Sequence, residues 1–198
     1  FIQSKLNMLS IIIPTLNEEK YLPRLLECIT RSNIDDYEII VSDGQSTDKT
    51  IDIAKKYKCR IVTSKKRSPA HQRNQGAKKA QGKLLLFLDA DSLLPQNFFQ
   101  PVLIEFNNRK LDVAGFYVTF NSKKIIYKFL SNWANIFQFF LHKLHPFSVG
   151  AGIIVKKKYH KKVNGFDESI TIGEDHYYSA DIKKINGNYG LIKSKKIL

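Results

Sequence analysis

The sequence is poor in the residues that most often carry metals, dinucleotides or covalent chemistry. Its only cysteines are Cys28 and Cys59, and no group of cysteine and histidine residues has the spacing of a zinc site. It contains neither a Gly-x-Gly-x-x-Gly pattern nor a Walker loop, which argues against the common dinucleotide-binding and P-loop domains. None of the five histidines stands in a pattern typical of a nucleophilic triad. The two cysteines are expected to pack as small apolar residues, as in a reducing compartment.

Acidic residues are also scarce relative to basic ones. The chain has 198 residues with 32 Lys and Arg against 18 Asp and Glu, a formal net charge of +14. Such an excess favours an anionic partner, such as nucleic acid, an acidic membrane surface or a phosphorylated substrate. No secretory signal is recognisable, and no apolar run is long enough to span a bilayer. A cytoplasmic location is expected, with peripheral contact to the inner face of an anionic membrane as an option.

What the sequence does contain is a regular alternation of strand and helix patterns. Short apolar runs predict strands at residues 9–13, 37–41, 60–63 and 84–88. Helical patterns open at residues 17–19, at residue 48 and at the Ser68-Pro69 pair. Four such alternations with short connections predict an α/β domain with a mostly parallel central sheet flanked by helices.

The second half of the chain is more irregular. Helices are predicted at residues 93–108, 125–144 and 175–185, and strands at residues 113–120 and 150–155. No internal repeat or linker interrupts the chain, so residues 1–198 are interpreted as one domain.

Two carboxylates follow the most apolar of the predicted strands. The run at residues 84–88 ends in Asp89-Ala90-Asp91. A continuous apolar strand is typical of a parallel sheet buried on both faces, and ligands gather beyond the carboxyl ends of such strands. Oxygen ligands at that place suit a hard cation, and through it a phosphate. The sequence therefore predicts a Mg²⁺ or Mn²⁺ site at Asp91 and Asp89.

Further acidic and loop motifs stand in order around this pair. They are Pro14-Thr15-Leu16-Asn17-Glu18, Asp43, Arg73-Asn74-Gln75-Gly76 and Glu174-Asp175. Taken together, the set resembles the family 2 glycosyltransferases from about residue 9 to about residue 187. The resemblance implies the GT-A fold, with a Rossmann-like nucleotide-sugar half at about residues 9–119 and a smaller acceptor half at about residues 120–198.

The resemblance also implies a role for each motif. On the donor side, Pro14, Thr15, Asn17 and Glu18 would line the nucleotide pocket, Asp43 would accept a hydrogen bond from the base, and Arg73 would contact the diphosphate. Asp89 and Ala90 would lie near the ribose and the metal, and Asp91 would be the principal metal ligand. On the other side, Asp175 would be the catalytic base, and Gly150, Ala151, Gly152 and Glu174 would lie near the acceptor.

These roles describe a single inverting transfer from a UDP- or GDP-sugar to a glycan hydroxyl or a polyprenyl phosphate. The Gln-x-x-Arg-Trp motif of processive synthases is absent, so one sugar is expected per visit. One departure is that Ser179-Ala180-Asp181 stands where many relatives carry an arginine. Three alternatives stay open: a sugar-phosphate nucleotidyltransferase, a catalytically inactive GT-A-like protein, and a basic nucleic-acid-binding protein. A nucleic-acid-binding protein should have aromatic residues that alternate with basic residues on a sheet or in a groove, whereas here they lie in one helical stripe. No nucleic acid partner is therefore expected.

Residues 120–147 are unusually aromatic, with basic residues on their flanks. The pattern predicts an amphipathic helix. It would either rest on an anionic membrane interface, helped by the lysines at residues 156–158 and 161–162, or cover the sheet as an ordinary surface helix.

Overall fold

The computed structural model describes residues 8–119, 133, 135, 136 and 152–197. Its strands are β1 (Leu9–Thr15), β2 (Tyr37–Asp43), β3 (Arg60–Thr63), β4 (Leu84–Leu88), β5 (Val113–Val118), β6 (Gly152–Lys156) and β7 (Tyr189–Ile197). Its helices are α1 (Leu22–Thr30), α2 (Thr50–Lys56), α3 (Pro69–Lys79), α4 (Phe99–Asn108), α5 (Lys157–Lys162) and α6 (Glu174–Lys184). Residues 133, 135 and 136 are also helical.

The strands form one mixed sheet in the order β3-β2-β1-β4-β6-β5-β7. Strand β6 runs antiparallel to both of its neighbours, and the other pairs are parallel. This confirms the predicted mostly parallel sheet flanked by helices. The strand order reverses between β1 and β4: β2 and β3 lie on one side of β1, and β4 lies on the other. Such a switch point opens a crevice at the carboxyl ends of the two strands.

Both faces of the central strands are buried, as their continuous apolar runs predicted. Successive side chains of a strand point to opposite faces. Ile11 and Ile13 accordingly belong to the cluster under α1 and α4, whereas Ile12 belongs to the cluster under α3 and α6. In β4, Leu86 and Phe87 divide in the same way. The two strands that carry the predicted site are thus held from both sides.

Several predicted boundaries were wrong for identifiable reasons. Strand β1 continues through Pro14 to Thr15, because the parallel register extends to the pair Thr15 and Asp43. The helix predicted to open at Asn17 begins at Leu22, since Asn17 has a φ of 58° and cannot continue into a right-handed helix. The helix predicted from residue 93 begins only at Phe99. There, the left-handed Asn97, with a φ of 52°, precedes the first turn.

Strand β7 was not predicted. It pairs with β5 at the end of the strand order, and three lysines interrupt its apolar pattern. Lysine is common on edge strands because it discourages pairing with further chains.

The aromatic segment at residues 120–147 lies outside the described residues except at three positions. Of these, Asn135 is buried, and its side-chain amide bonds the backbone of Val118 at 3.1 Å and 2.7 Å. Trp133 and Ile136 are exposed. Among the described residues, no helix is long and apolar enough to cross a membrane. Cys28 and Cys59 are free and pack against the core, as predicted.

Candidate active site

A cleft of about 630 Å³ opens at the carboxyl ends of β1 and β4. The N-terminal turn of α6 and one face of α3 form its other walls. It is lined by Pro14, Thr15, Leu16, Glu18, Pro69, Gln72, Arg73, Asp89, Ala90, Asp91, Thr171, Ile172, Gly173, Glu174, Asp175 and His176. Residues predicted from both halves of the chain therefore meet in one cavity.

The loop after β1 is shaped by the loop after β2. The side-chain oxygen of Asn17 accepts the Thr47 amide at 2.8 Å, and the Asn17 amide donates to the Ser46 hydroxyl at 2.8 Å. The Glu18 amide donates to the Thr50 hydroxyl at 2.7 Å. These bonds direct the Glu18 side chain toward the cleft. Asn17, predicted to line the nucleotide pocket, is not among the lining residues and instead joins the two loops.

Asp43 lies behind the cleft wall, with 2% of its surface exposed. Its carboxylate accepts the Thr15 hydroxyl at 3.1 Å, the Ser46 amide at 2.9 Å and the Ser46 hydroxyl at 2.5 Å. The residue predicted to contact a base is therefore buried and hydrogen-bonded within the protein. It fixes Thr15, which does line the cleft.

Arg73 joins the two walls of the cleft. Its guanidinium donates to Asp89 at 2.7 Å and to Glu174 at 2.5 Å, and it lies 5.4 Å from the centre of the Phe166 ring. Only 5% of Arg73 is exposed. Burial by itself would lower the pKa of Arg73, but the two carboxylates outweigh this effect and raise it. A single buried cation thus connects the loop after β4 to the start of α6.

The cleft carries more negative than positive charge. Burial raises the pKa of Asp89, and Arg73 opposes this rise only in part. For Glu18, burial and then the nearby charge of Asp91 raise the pKa. Within the described ranges, Asp91 is exposed and has no hydrogen bond or ion pair. No group of three or more His, Cys, Asp or Glu residues in the described part of the chain forms a ready-made metal centre.

Asp175 lies in the first turn of α6, and 6% of its surface is exposed. Gly173, at a φ of 80°, turns the chain into this helix. The His176 amide donates to the Asp175 carboxylate at 3.0 Å. Burial is the main cause that raises the pKa of Asp175, and the neighbouring Glu174 carboxylate raises it further. Such a carboxylate takes up a proton more readily than an exposed one.

A second face of α3 holds the segment that leads to Asp175. The side-chain amide of Asn74 bonds both the N–H and the C=O of Phe166 at 2.8 Å. Glu168 accepts from His71 at 2.8 Å and from Asn74 at 3.2 Å, which helps to lower its pKa to about 2. Sequence reasoning missed this clamp, although Asn74 belongs to the Arg73–Gly76 motif.

Three other features of the cleft region were missed or displaced. The Gln72 amide donates to the Thr15 carbonyl at 3.0 Å, and residues 171–173 and His176 line the cleft. Gly152, predicted near the acceptor, is buried within β6, where an added Cβ would lie 2.7 Å from Ile197. Gly150 and Ala151 lie outside the described residues. Asp181 pairs with Lys184 at 2.8 Å and is not among the lining residues.

Comparison with known proteins relates this chain to one family. The family model described as "Glycosyl transferase family 2" matches residues 10–164. The minor teichoic acid biosynthesis protein GgaB of Bacillus subtilis is 30% identical over an alignment that covers 94% of this chain and 22% of GgaB.

Two solved structures share the fold at lower sequence identity. Staphylococcus aureus TarS 1-349 in complex with UDP-GlcNAc has a TM-score of 0.74 and 20% identity, covering 96% of this chain and 57% of that one. The mannosyltransferase PcManGT from Pyrobaculum calidifontis in complex with GDP-Man and Mn²⁺ has a TM-score of 0.76 and 19% identity, covering 91% and 53%. The chain therefore spans less than two thirds of each of these three proteins.

Proposed function

This chain belongs to glycosyl transferase family 2, and from that membership we propose that it transfers a sugar from a nucleoside-diphosphate sugar to an acceptor. The transfer is inverting, metal-assisted and non-processive. The observation that carries the proposal is that Asp89 and Asp91, at the end of β4, line the same cleft as Asp175, at the start of α6. One end of this cleft suits a departing diphosphate, and the other suits an attacking hydroxyl.

The donor is a UDP- or GDP-sugar. TarS in complex with UDP-GlcNAc and PcManGT in complex with GDP-Man share this fold, which supports a nucleotide sugar here. In this chain Pro14, Thr15 and Glu18 line the part of the cleft beside β1. The hydrogen bonds of Asp43 favour an indirect role, in which it holds Thr15 and Ser46 beside the base.

The donor set of the cleft fits a divalent cation. Magnesium commonly takes one or two protein carboxylates and completes its shell with substrate phosphates and water. Asp91 is exposed. One carboxylate oxygen of Asp89 accepts a hydrogen bond from Arg73, and 35% of the Asp89 side chain is accessible. Asp91, with the second oxygen of Asp89, would hold Mg²⁺ or Mn²⁺. When bound, the ion offsets the negative charge that develops on a departing diphosphate. The PcManGT complex with Mn²⁺ supports this choice.

Arg73 orients the two acids that it bridges. A guanidinium has five N–H donors, so N–H groups remain after the bonds to Asp89 and Glu174. Because Arg73 also lines the cleft, one of these groups can donate to a donor phosphate without release of either carboxylate. The diphosphate contact implied by the family resemblance is retained in this form.

Asp175 is the general base. Its carboxylate removes the proton of an acceptor hydroxyl while the hydroxyl oxygen attacks the anomeric carbon from the face opposite the diphosphate. Burial disfavours the charged carboxylate and raises its pKa, which improves proton uptake. A polyprenyl phosphate acceptor would already be anionic and would need no base. A glycan hydroxyl is the acceptor that uses Asp175, and the name of GgaB supports a cell-envelope polymer.

Thermal shift with a panel of UDP- and GDP-sugars, with and without Mn²⁺, tests the donor half of the proposal. A ligand that binds the folded state raises the melting temperature, and the rise increases with the logarithm of ligand concentration over Kd. We expect one sugar nucleotide to stabilise the chain only when Mn²⁺ is present. Equal stabilisation without Mn²⁺ would contradict the proposed role of the metal in donor binding. A flat response to the whole panel, together with salt-sensitive binding of RNA or DNA, would favour the basic nucleic-acid-binding alternative.

A further inference from the structure

A second cavity, of about 840 Å³, lies at the end of the sheet opposite the cleft. We call it the basic pocket. It is lined by Asp35, Asp36, Gln81, Gly82, Lys83, Leu84, Leu103, Phe106, Asn107, Lys156, Lys157, Lys158 and Lys161. None of these residues lines the cleft. The proposed glycosyl transfer therefore leaves the basic pocket without a role.

The floor of the basic pocket is apolar. Phe106 is 1% exposed and Leu84 is 9% exposed, and both belong to the core cluster beneath α4. Leu103, one turn before Phe106, is only partly buried and packs against the same cluster. Leu103 is therefore the accessible part of this floor. A hydrocarbon chain gains from contact with it, whereas a bare inorganic anion does not.

The rim of the basic pocket carries five lysines, two of which are fixed in place. The Lys156 ammonium bonds Asp112 at 2.9 Å, and the Lys157 ammonium donates to the Ala80 carbonyl. An ammonium has three N–H donors, so both groups keep donors for an incoming anion. Lys83, Lys158 and Lys161 supply the remaining charge.

The distribution of charge around the rim is one-sided. Asp35 and Asp36 lie on the wall formed by the loop before β2. The lysines lie on the walls formed by the turn before β4, by the last residue of β6 and by α5. Burial and the neighbouring charge of Lys161 lower the pKa of Lys157. An anion beside α5 would offset this crowding of positive charge, and the two aspartates would repel it from the other wall.

We propose that the basic pocket binds the phosphate headgroup of an anionic lipid, with the start of an acyl chain on Leu103. The lysine rim selects the phosphate, and the apolar floor selects an amphiphile over a free anion. The inference is independent of the proposed glycosyl transfer, since the two cavities share no lining residue.

The position of the pocket has a consequence for orientation. The pocket and the cleft lie at opposite ends of strands such as β1, whose 7 residues extend about 20 Å. A lipid held in the pocket would turn the cleft away from the membrane surface. The acceptor would then be reached from the aqueous side and not within the same bilayer.

Binding of dihexanoyl phosphatidic acid below its micelle concentration tests the proposal, with the intact chain and isothermal titration calorimetry. The variant Lys83→Gln/Lys158→Gln/Lys161→Gln should bind at least about tenfold more weakly, because each lost ammonium removes a charge-assisted contact. The matched control, Lys55→Gln/Lys56→Gln/Lys193→Gln, removes equal charge from exposed lysines outside the pocket. It should bind like the unmodified chain. Equal losses in the two variants would overturn the pocket as the site.

One further ligand and one further variant test the apolar floor. Glycerol phosphate carries the headgroup without chains and should bind at least about tenfold more weakly than dihexanoyl phosphatidic acid. Leu103→Asn should weaken the lipid but leave glycerol phosphate unchanged. Equal affinity for the two ligands would reject a lipid in favour of a free phosphate. Thermal shift with the donor nucleotide and Mn²⁺ should be the same in the lysine variants and the unmodified chain, which separates this result from failure of the proposed function.

Discussion

The two cavities at opposite ends of the sheet carry opposite charge. The cleft at the carboxyl ends of β1 and β4 is lined by five carboxylates and one guanidinium. The basic pocket at the other end is lined by five lysines and two carboxylates. In a chain of net charge +14, the acidic cavity is the exception, and it is the one to which the proposed function assigns an anionic donor.

Under the proposed function, this contrast predicts a bound cation at the acidic end only. A phosphate that approaches the lysine rim meets complementary charge directly. A diphosphate that approaches the cleft meets Asp89, Asp91 and Glu174, and Arg73 is already bonded to two of them. Two like charges about 4 Å apart near a protein surface repel by about 4 kcal/mol unless a counter-ion lies between them. The surplus of carboxylates in the cleft, considered by charge alone, thus favours a bound metal cation.

The largest effect is expected at the acidic end, from Asp175→Asn. Amide replacement keeps the shape of the side chain but removes its capacity to accept a proton. With a hydroxyl acceptor, kcat should fall by about two to four orders of magnitude, while the thermal shift with donor and Mn²⁺ stays unchanged. Asp181→Asn, on an exposed face of the same helix, is the control and should keep full activity. A kcat within about threefold of the unmodified enzyme would instead indicate a phosphate acceptor.

Acid should lower the folding stability through His160, which packs α5, one wall of the basic pocket, against the core. This histidine on α5 bonds the Tyr178 hydroxyl at 2.8 Å and packs on Phe87, and burial lowers its pKa to about 4 from an ordinary 6.5. The unfolded chain therefore binds the proton first, so stability is full above pH 6.5 and is lost as the pH falls toward 4. The loss attributable to His160 is up to about 3 kcal/mol.

Urea unfolding of the unmodified chain and of His160→Gln between pH 7.5 and pH 4.5 isolates this contribution. Glutamine can still bond Tyr178 but does not titrate, so the difference in unfolding free energy between the two proteins should shrink or reverse in acid. A difference that is independent of pH would show that His160 is not buried as a neutral ring.

The fold could be predicted largely from local patterns. The four strands of the first half, helix α3 with its Ser68 cap, and helix α6 all carry apolar periods or capping residues that are visible in a short window. The predictions failed where a distant partner decides the structure. Asn17 resembles a helix start, but its contact with Thr47 holds it in a left-handed conformation. Strand β7 exists because β5 provides a partner.

The candidate site could be predicted as a set of residues but not as a set of contacts. Asp89 and Asp91 were predicted from the apolar strand that they follow. Glu18 and Asp175 were predicted from the family resemblance, and all four residues line one cleft. The clamp between Asn74 and Phe166 joins residues 92 positions apart, and no local pattern encodes such a pair. The family resemblance implied that Asp43 contacts a base, whereas in the fold its carboxylate accepts hydrogen bonds from Thr15 and Ser46.

Arg73→Gln tests whether one cation holds the acidic end together. Glutamine leaves Asp89 and Glu174 facing each other without a guanidinium, and breaking a buried ion pair in this way is costly. Since Asp89 keeps 35% of its side chain accessible, the cost should be about 2–3 kcal/mol, below the range for fully buried pairs. At the basic end, Lys156→Gln removes the more open pair with Asp112 and should cost about 1 kcal/mol or less. Similar unfolding free energies for the two variants would contradict the assigned difference.

The smallest effect compares one aspartate from each cavity. Asp91→Asn removes a carboxylate that would share the metal with the diphosphate, so the apparent affinity for donor nucleotide in Mn²⁺ should fall about tenfold, or about 1.4 kcal/mol. Asp35→Asn removes the same charge from the wall of the basic pocket and should leave nucleotide affinity unchanged. It should tighten binding of dihexanoyl phosphatidic acid, because one repulsive charge is lost. If both variants altered nucleotide affinity equally, net charge and not position would govern donor binding, and the distinction between the two ends would fail.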